Sequence, residues 1–326
     1  MPGLRILVLD GGGSKGFFTL EVLRYIELAC GRPIRDCFDL IVGTSIGAFL
    51  AGCIVAGRTI DEIESQFLPM ITMFEQVSRS TLSRLVWGHV LDASAWTPSM
   101  HAHFGDMRLS DLPESPRLLM LAADASTLVP HPFLIRNQPL PDSGAPRSPF
   151  GTTTDMRLLD ALQAATAAPT VYPAYNHKGT PIVDGGVLAN NPVLFALAEA
   201  TLLGAELECI VSVGTGVEPR APVGPSRGLM GWSWALIKRS TDSDTAADLA
   251  LGILPPSKYV RFDPPDVGGC NTWESNPEVL CKLRQQVQTF MHSHQETLST
   301  LIPHLCHEKP AVEDNEDGSV SNTGGS

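Results

Sequence analysis

The feature that most narrows what this chain can fold into is a serine held between glycines where one apolar run ends and another begins: FDLIVGTSIGAFLAG, residues 38–52. The first run predicts a buried strand over 38–43, and the second predicts a helix from Ser45 to about Ala56. A strand that turns this sharply into a helix strains the residue at the corner. Gly43 and Gly47 stand where a Cβ would strike the neighbouring strand or helix. The rest of the first half repeats the same alternation, which is the pattern of a parallel sheet whose strands cross over through helices. RILVLD at 5–10 predicts a strand, and 15–30 a helix with Phe18, Val22, Tyr25 and Ile26 on one face. Thr59 and Glu62 have capping-box spacing and open the next helix. Further strands are expected at 117–124, 131–137, 181–186, 209–215 and 259–263, with helices at 156–167, 191–203 and 276–302. The expected class is α/β with a mostly parallel central sheet. The Pro-, Gly- and Ser-rich stretch 138–154 reads as a long surface loop, since the alternation resumes beyond it. One domain is expected over 1–307, followed by a polar, acidic tail at 308–326 without apolar periodicity, the composition of a disordered segment.

Charge excludes one class of partner. A net charge of -12 opposes the phosphate-backbone contacts that nucleic-acid binding requires, and it gives no long-range pull toward an anionic membrane. The seven cysteines are an odd number with no C-x-x-C pair, which points to a reducing compartment. The N-terminus meets Asp10 and a glycine run at once, unlike a signal peptide, and no long apolar run suggests a membrane span. The expectation is a cytoplasmic protein.

Ser45 has two readings on its pentapeptide alone: the nucleophile of a G-x-S-x-G elbow, or an ordinary helix N-cap. A second motif favours the first. DGGGSKG at 10–16 follows the first strand and opens the first helix, so Gly11, Gly12 and Gly13 can turn successive N–H groups into one concavity suited to an oxyanion. Loops after adjacent parallel strands share one edge of the sheet, so this nest and Ser45 should face the same crevice. The run also spells the dinucleotide fingerprint G-x-G-x-x-G with Gly11, Gly13 and Gly16. That site wants an acid at the end of the second strand, where this chain has VGTS; a P-loop is excluded because no G-K-[ST] follows.

A nucleophilic serine needs a proton acceptor. None of the nine histidines falls where a strand would deliver it into the crevice. The better candidate is PIVDGGVLANNP at 181–192, where an apolar strand ends in Asp184, two glycines follow, and a helix starts near Asn191 and Pro192. Taken alone, Asp184 is more readily a turn-capping residue than a catalytic one, but three strand-end motifs converging on one edge favour catalysis.

With these pieces in hand, the sequence resembles the patatin-like phospholipases, and among them the calcium-independent phospholipase A2 branch. The resemblance rests on DGGGSKG at 10–16, GTSIGA at 43–48, AATAAPTVYPAY at 164–175, VDGGVLANNP at 183–192 and IVSVGTG at 210–216, within residues 4–265. It implies a three-layer α/β/α fold and a Ser-Asp dyad, with Ser45 as nucleophile, Asp184 as its direct base and Gly11 to Gly13 as oxyanion hole. Lys15, Gly16, Gly43, Gly47, Gly185 and Gly186 would support them. The implied substrate is a phospholipid or related acyl ester, with neither metal nor cofactor. Ile46 and Ala48 stand where many members have Thr and Gly. A catalytically silent lipid-binding or storage protein is the alternative. Two stretches are candidates for peripheral membrane contact or lipid access: 228–240, with Trp232 and Trp234 beside Lys238 and Arg239, and 70–90. Both read equally as packing helices.

Overall fold

The computed structural model describes residues 3–79, 97–141, 151–169, 171–216, 243–264 and 276–306. Strands β1 (Leu4–Leu9), β2 (Leu40–Thr44), β3 (Arg117–Asp124), β4 (His131–Arg136), β5 (Gly151–Thr153), β6 (Tyr175–His177), β7 (Thr180–Asp184), β8 (Leu207–Val213) and β9 (Tyr259–Phe262) form one sheet. Its spine has the order β5-β4-β3-β2-β1-β8-β9, and the β6–β7 hairpin joins it through β3. The pairs β1–β2, β2–β3, β1–β8, β8–β9 and β4–β5 are parallel, while β3–β4, β3–β7 and β6–β7 are antiparallel.

The described helices are α1 (Gly16–Cys30), α2 (Ile46–Val55), α3 (Ile60–Arg79), α4 (Thr97–Phe104), α5 (Leu158–Ala165), α6 (Val193–Leu202), α7 (Asp244–Ile253), α8 (Pro277–Ser293) and α9 (Gln295–Cys306). Side-chain alternation along the strands divides them into two layers. Ile6, Val8, Leu40 and Val42 pack on one face with Val193 and Ala196 of α6 and Ala250 of α7. Leu7, Leu9 and Ile41 pack on the other with α1, α2, α5, α8 and α9. Strands apolar on both sides are what a sheet covered on both faces requires. Every residue of α2 is buried, which explains why that helix is apolar all round and has no polar stripe.

Most expected elements appear within a residue or two. The capping box forms: the Thr59 N–H donates to the Glu62 carboxylate at 2.8 Å, and the Glu62 N–H to Thr59 Oγ1 at 3.2 Å. Two expectations are corrected. The helix expected over 276–302 is two, broken at His294. There Ser293 Oγ donates to the Phe290 carbonyl and His294 Nδ1 lies 2.8 Å from the same oxygen, so side chains take the acceptor that a continuing helix would use. The expected loop 138–154 ends in edge strand β5. Strand β7 is antiparallel to β3 within the mostly parallel sheet, because β6 and a tight turn at Lys178–Gly179 feed it in from the opposite direction. The stretch 228–240, positions 80–90 of the second candidate stretch and the tail 308–326 lie outside the described residues. Among the described residues no helix is long and apolar enough to cross a membrane.

Candidate active site

The reversal of β7 is what brings the two candidate side chains together. On one edge β3 pairs with β4 along 119–124. Its other edge is shared: β2 occupies it up to Thr44 opposite Leu121, and β7 takes over with Asp184 opposite Ala122. Two strands therefore meet head to head along β3, one ending immediately before Ser45 and the other at Asp184.

Ser45 has φ 55° and ψ -124°, a backbone state that costs a non-glycine residue about 1–3 kcal/mol. The corner is tight enough to require its glycines. A Cβ on Gly43 would lie 2.3 Å from the Gly47 carbonyl oxygen, and one on Gly47 would lie 2.3 Å from the Leu9 carbonyl oxygen. Ser45 occupies the N-cap position of α2, yet its hydroxyl makes no capping hydrogen bond. The helix-cap reading therefore fails, and Ser45, a half-buried residue, stands at a helix N-terminus, where negative charge is favoured.

Asp184 is buried at 3% exposure. Its Oδ1 accepts the Gly186 N–H at 2.7 Å, while Oδ2 is sealed from solvent with no partner in full hydrogen-bond geometry. Burial pushes the carboxyl up from 3.8 to about 6, against the opposing pull of the Ser45 hydroxyl and the Gly186 amide. The serine is thus near enough to favour the ionised carboxylate without forming a well-aligned bond in the resting site. Among the described residues no histidine hydrogen-bonds to Ser45 or Asp184. His177 ends β6 opposite Thr180, four residues before Asp184, and packs on Phe133 with ring centroids 5.6 Å apart.

The glycine loop adjoins the serine: a Cβ on Gly11 would fall 3.1 Å from Ser45 Cβ and 2.4 Å from Asn190 Oδ1. The Gly11 N–H donates to the Asn190 carbonyl at 3.0 Å, so this amide is already used. Gly12 and Gly13 are half-exposed, and their amides have no hydrogen-bond acceptor among the described residues. These two are the donors open to an incoming oxygen. Lys15 is buried at 4% exposure, not solvated, in the 3-10 turn Gly13–Lys15. Gly16 lies against Ile46 at the start of α2 and Gly185 against the Leu121 carbonyl, both too close for a Cβ, while Gly186 serves through its amide.

The residues that hold this loop were not picked out from the sequence. Asn190 Nδ2 and Thr215 Oγ1 both donate to the Gly11 carbonyl, at 3.1 and 2.9 Å. The same Asn190 amide donates to Ser243 Oγ at 2.8 Å, and the Ser243 hydroxyl is near enough to Asp10 to favour its ionised form. Asp10 is fully buried and bridged to Arg261 at 2.7 Å; burial nonetheless lifts its carboxyl to about 6. Arg261 also holds Asp263 at 2.6 Å, whose Oδ1 accepts the Gly216 N–H. Asn190 and Thr215 sat inside quoted motifs, but nothing local distinguishes a clamp from a turn residue. Among the described residues, no group of three or more His, Cys, Asp or Glu side chains gathers as a metal site.

The Patatin-like phospholipase family profile matches residues 7–197. A rabbit calcium-independent phospholipase A2-gamma is 28% identical over 95% of this chain and 41% of its own, so the chain spans about two fifths of that relative. A cGAMP-activated phospholipase of Pseudomonas aeruginosa is 31% identical over 81% of this chain and 79% of its own. Among solved structures, human GIVD cytosolic phospholipase A2 aligns at 12% identity and a TM-score of 0.47, over 93% of this chain and 61% of that one. By the extent of the family match and the identity to these relatives, the chain belongs to the patatin-like phospholipase family.

Proposed function

We propose that the chain is a serine acyl hydrolase that cleaves fatty acyl esters of phospholipids or related lipids through a Ser45–Asp184 dyad and an acyl-enzyme. The observation that carries this reading is the uncapped Ser45 hydroxyl on a strained corner, beside a buried carboxyl raised to about 6. At neutral pH such a carboxylate is mostly ionised yet a stronger base than an ordinary aspartate, the tuning a direct base needs. The Ser45 O–H gives its proton to Asp184 as Oγ attacks the ester carbonyl. The oxyanion is received by the N–H groups of Gly12 and Gly13, each such donor being worth about 10²- to 10³-fold in rate. Asp184 then returns the proton to the departing alcohol, and water activated by the same carboxylate releases the fatty acid.

The names of the relatives support a phospholipase, and one of them a calcium-independent A2; lysophospholipase-like cleavage belongs to the same proposal. In this reading catalysis uses only side chains and backbone amides, with no cofactor, in a reducing cytoplasmic setting and with peripheral access to lipid surfaces. The experiment is fluorophosphonate labelling together with hydrolysis of a phospholipid panel, with and without a chelator. Parent protein should label and hydrolyse under both conditions; Ser45→Ala should do neither, and Asp184→Asn should fall by at least about 10³-fold in hydrolysis. Robust turnover by either variant refutes the dyad, and an unlabelled parent favours the silent lipid-binding alternative.

A further inference from the structure

Strand β3 runs parallel to β2, so its carboxyl end lies at the edge where Ser45 sits, and it continues past that level. Asp184 pairs with Ala122, and the β3–β4 ladder extends two residues further, to Asp124 opposite His131. At about 3.3 Å per residue, the hairpin leaves the sheet roughly 7 Å beyond the candidate dyad. The six residues that cross over, ASTLVP at 125–130, carry no formal charge in a chain of net charge -12. Leu128 is 101% exposed and Val129 69% exposed, the two most exposed neighbouring large apolar side chains among the described residues.

The tip is held in shape. Thr127 Oγ1 donates to the Val129 carbonyl at 2.7 Å, the Ser126 N–H donates to Asp124 Oδ1 at 2.8 Å, and the Ala125 N–H donates to the Pro181 carbonyl at 2.9 Å. Asp124, which adjoins the tip in sequence, is thereby folded back into the turn, where its bonds to Ser126 hold it below the usual carboxylate range.

We propose that Leu128 and Val129 form an interfacial anchor that enters the acyl layer of a zwitterionic phospholipid surface and holds the Ser45 mouth against it. This deepens, and rests on, the reading of the site as a lipid hydrolase. Area decides the occupant. A stable protein partner needs about 800 Å² on each side, which two side chains on a narrow turn do not supply. A lipid surface needs only a few aliphatic groups that bury themselves, and it tolerates a neutral tip on an acidic chain.

The test uses the whole 326-residue chain in the Ser45→Ala background, so that vesicles stay intact, and measures co-sedimentation with phosphatidylcholine vesicles. Leu128→Ser/Val129→Ser should lower the partition coefficient about 10- to 100-fold. Leu128→Ile/Val129→Ile should keep it within about twofold. With Ser45 present, the serine pair should slow hydrolysis of vesicle lipid while leaving a soluble short-chain ester unaffected. Partition unchanged by the serine pair, no partition by the parent, or equal loss on the soluble ester overturns the anchor. Tip-dependent partition in a chain that hydrolyses no ester keeps the anchor and removes the hydrolase reading, so the two fail separately.

Discussion

Replacing Asp184 by asparagine should make the protein inactive and, at neutral pH, more stable. The carboxyl's value is 3.8 in an ordinary setting and about 6 in the fold. Between those two pH values the native state binds the proton and the unfolded chain does not, so stability is fully present below about pH 4 and is lost as pH rises through about 6. At 1.36 kcal/mol per pH unit, the gap between 3.8 and about 6 comes to about 3 kcal/mol of instability at pH 7.5 and above. Asparagine keeps the oxygen that accepts the Gly186 N–H and removes the charge. Asp10, raised to a similar value, titrates in both proteins and cancels from the difference. Urea unfolding from pH 4 to 8 should show Asp184→Asn level with the parent at the acid end and up to about 3 kcal/mol more stable at the other. Hydrolysis by the parent should show the complementary limb, falling about tenfold between pH 7 and pH 5 as the base protonates. A variant no more stable at pH 7.5, or a difference that does not depend on pH, would refute the account of Asp184 as a carboxylate strained by burial.

Two further substitutions test the loop's supports. Gly11→Ala would put a Cβ 2.4 Å from Asn190 Oδ1 and should displace that clamp; hydrolysis should drop by about 10²-fold or more, read as kcat on a soluble ester. Arg261→Met would leave Asp10 buried without its cation, and the expected cost is about 3–5 kcal/mol by denaturant unfolding at pH 7.5, smaller at pH 5 where Asp10 is protonated.

The parts of the fold that depend on local pattern were readable in the sequence. The apolar strands at 5–10 and 38–43, the glycine frame of Ser45 and the Thr59–Glu62 box each encode their geometry within a few residues, and each reappears in the structure. The parts that depend on contacts between distant segments were not. The sequence of β7 reads the same whichever way it pairs, so the head-to-head meeting with β2 is absent from the pattern. The break at His294 is hidden because Leu280, Leu283, Val287 and Met291 continue in near-helical step to Leu298, Leu301 and Leu305. The link from Asp10 through Arg261 spans 251 positions, and neither end carries a local signal of the other. The helix-cap reading of Ser45 could be discarded only once the hydroxyl's direction was known.

Because β2 and β7 abut on consecutive residues of β3, the spacing of hydroxyl and carboxylate is set by one ladder of backbone hydrogen bonds and not by the chain that connects them. Insertions between these strands leave the pair intact as long as β7 keeps its place, which makes the intervening loops free ground for divergence. A slip of β7 by a single residue would carry the carboxylate about 3.3 Å away and turn it through to the opposite layer.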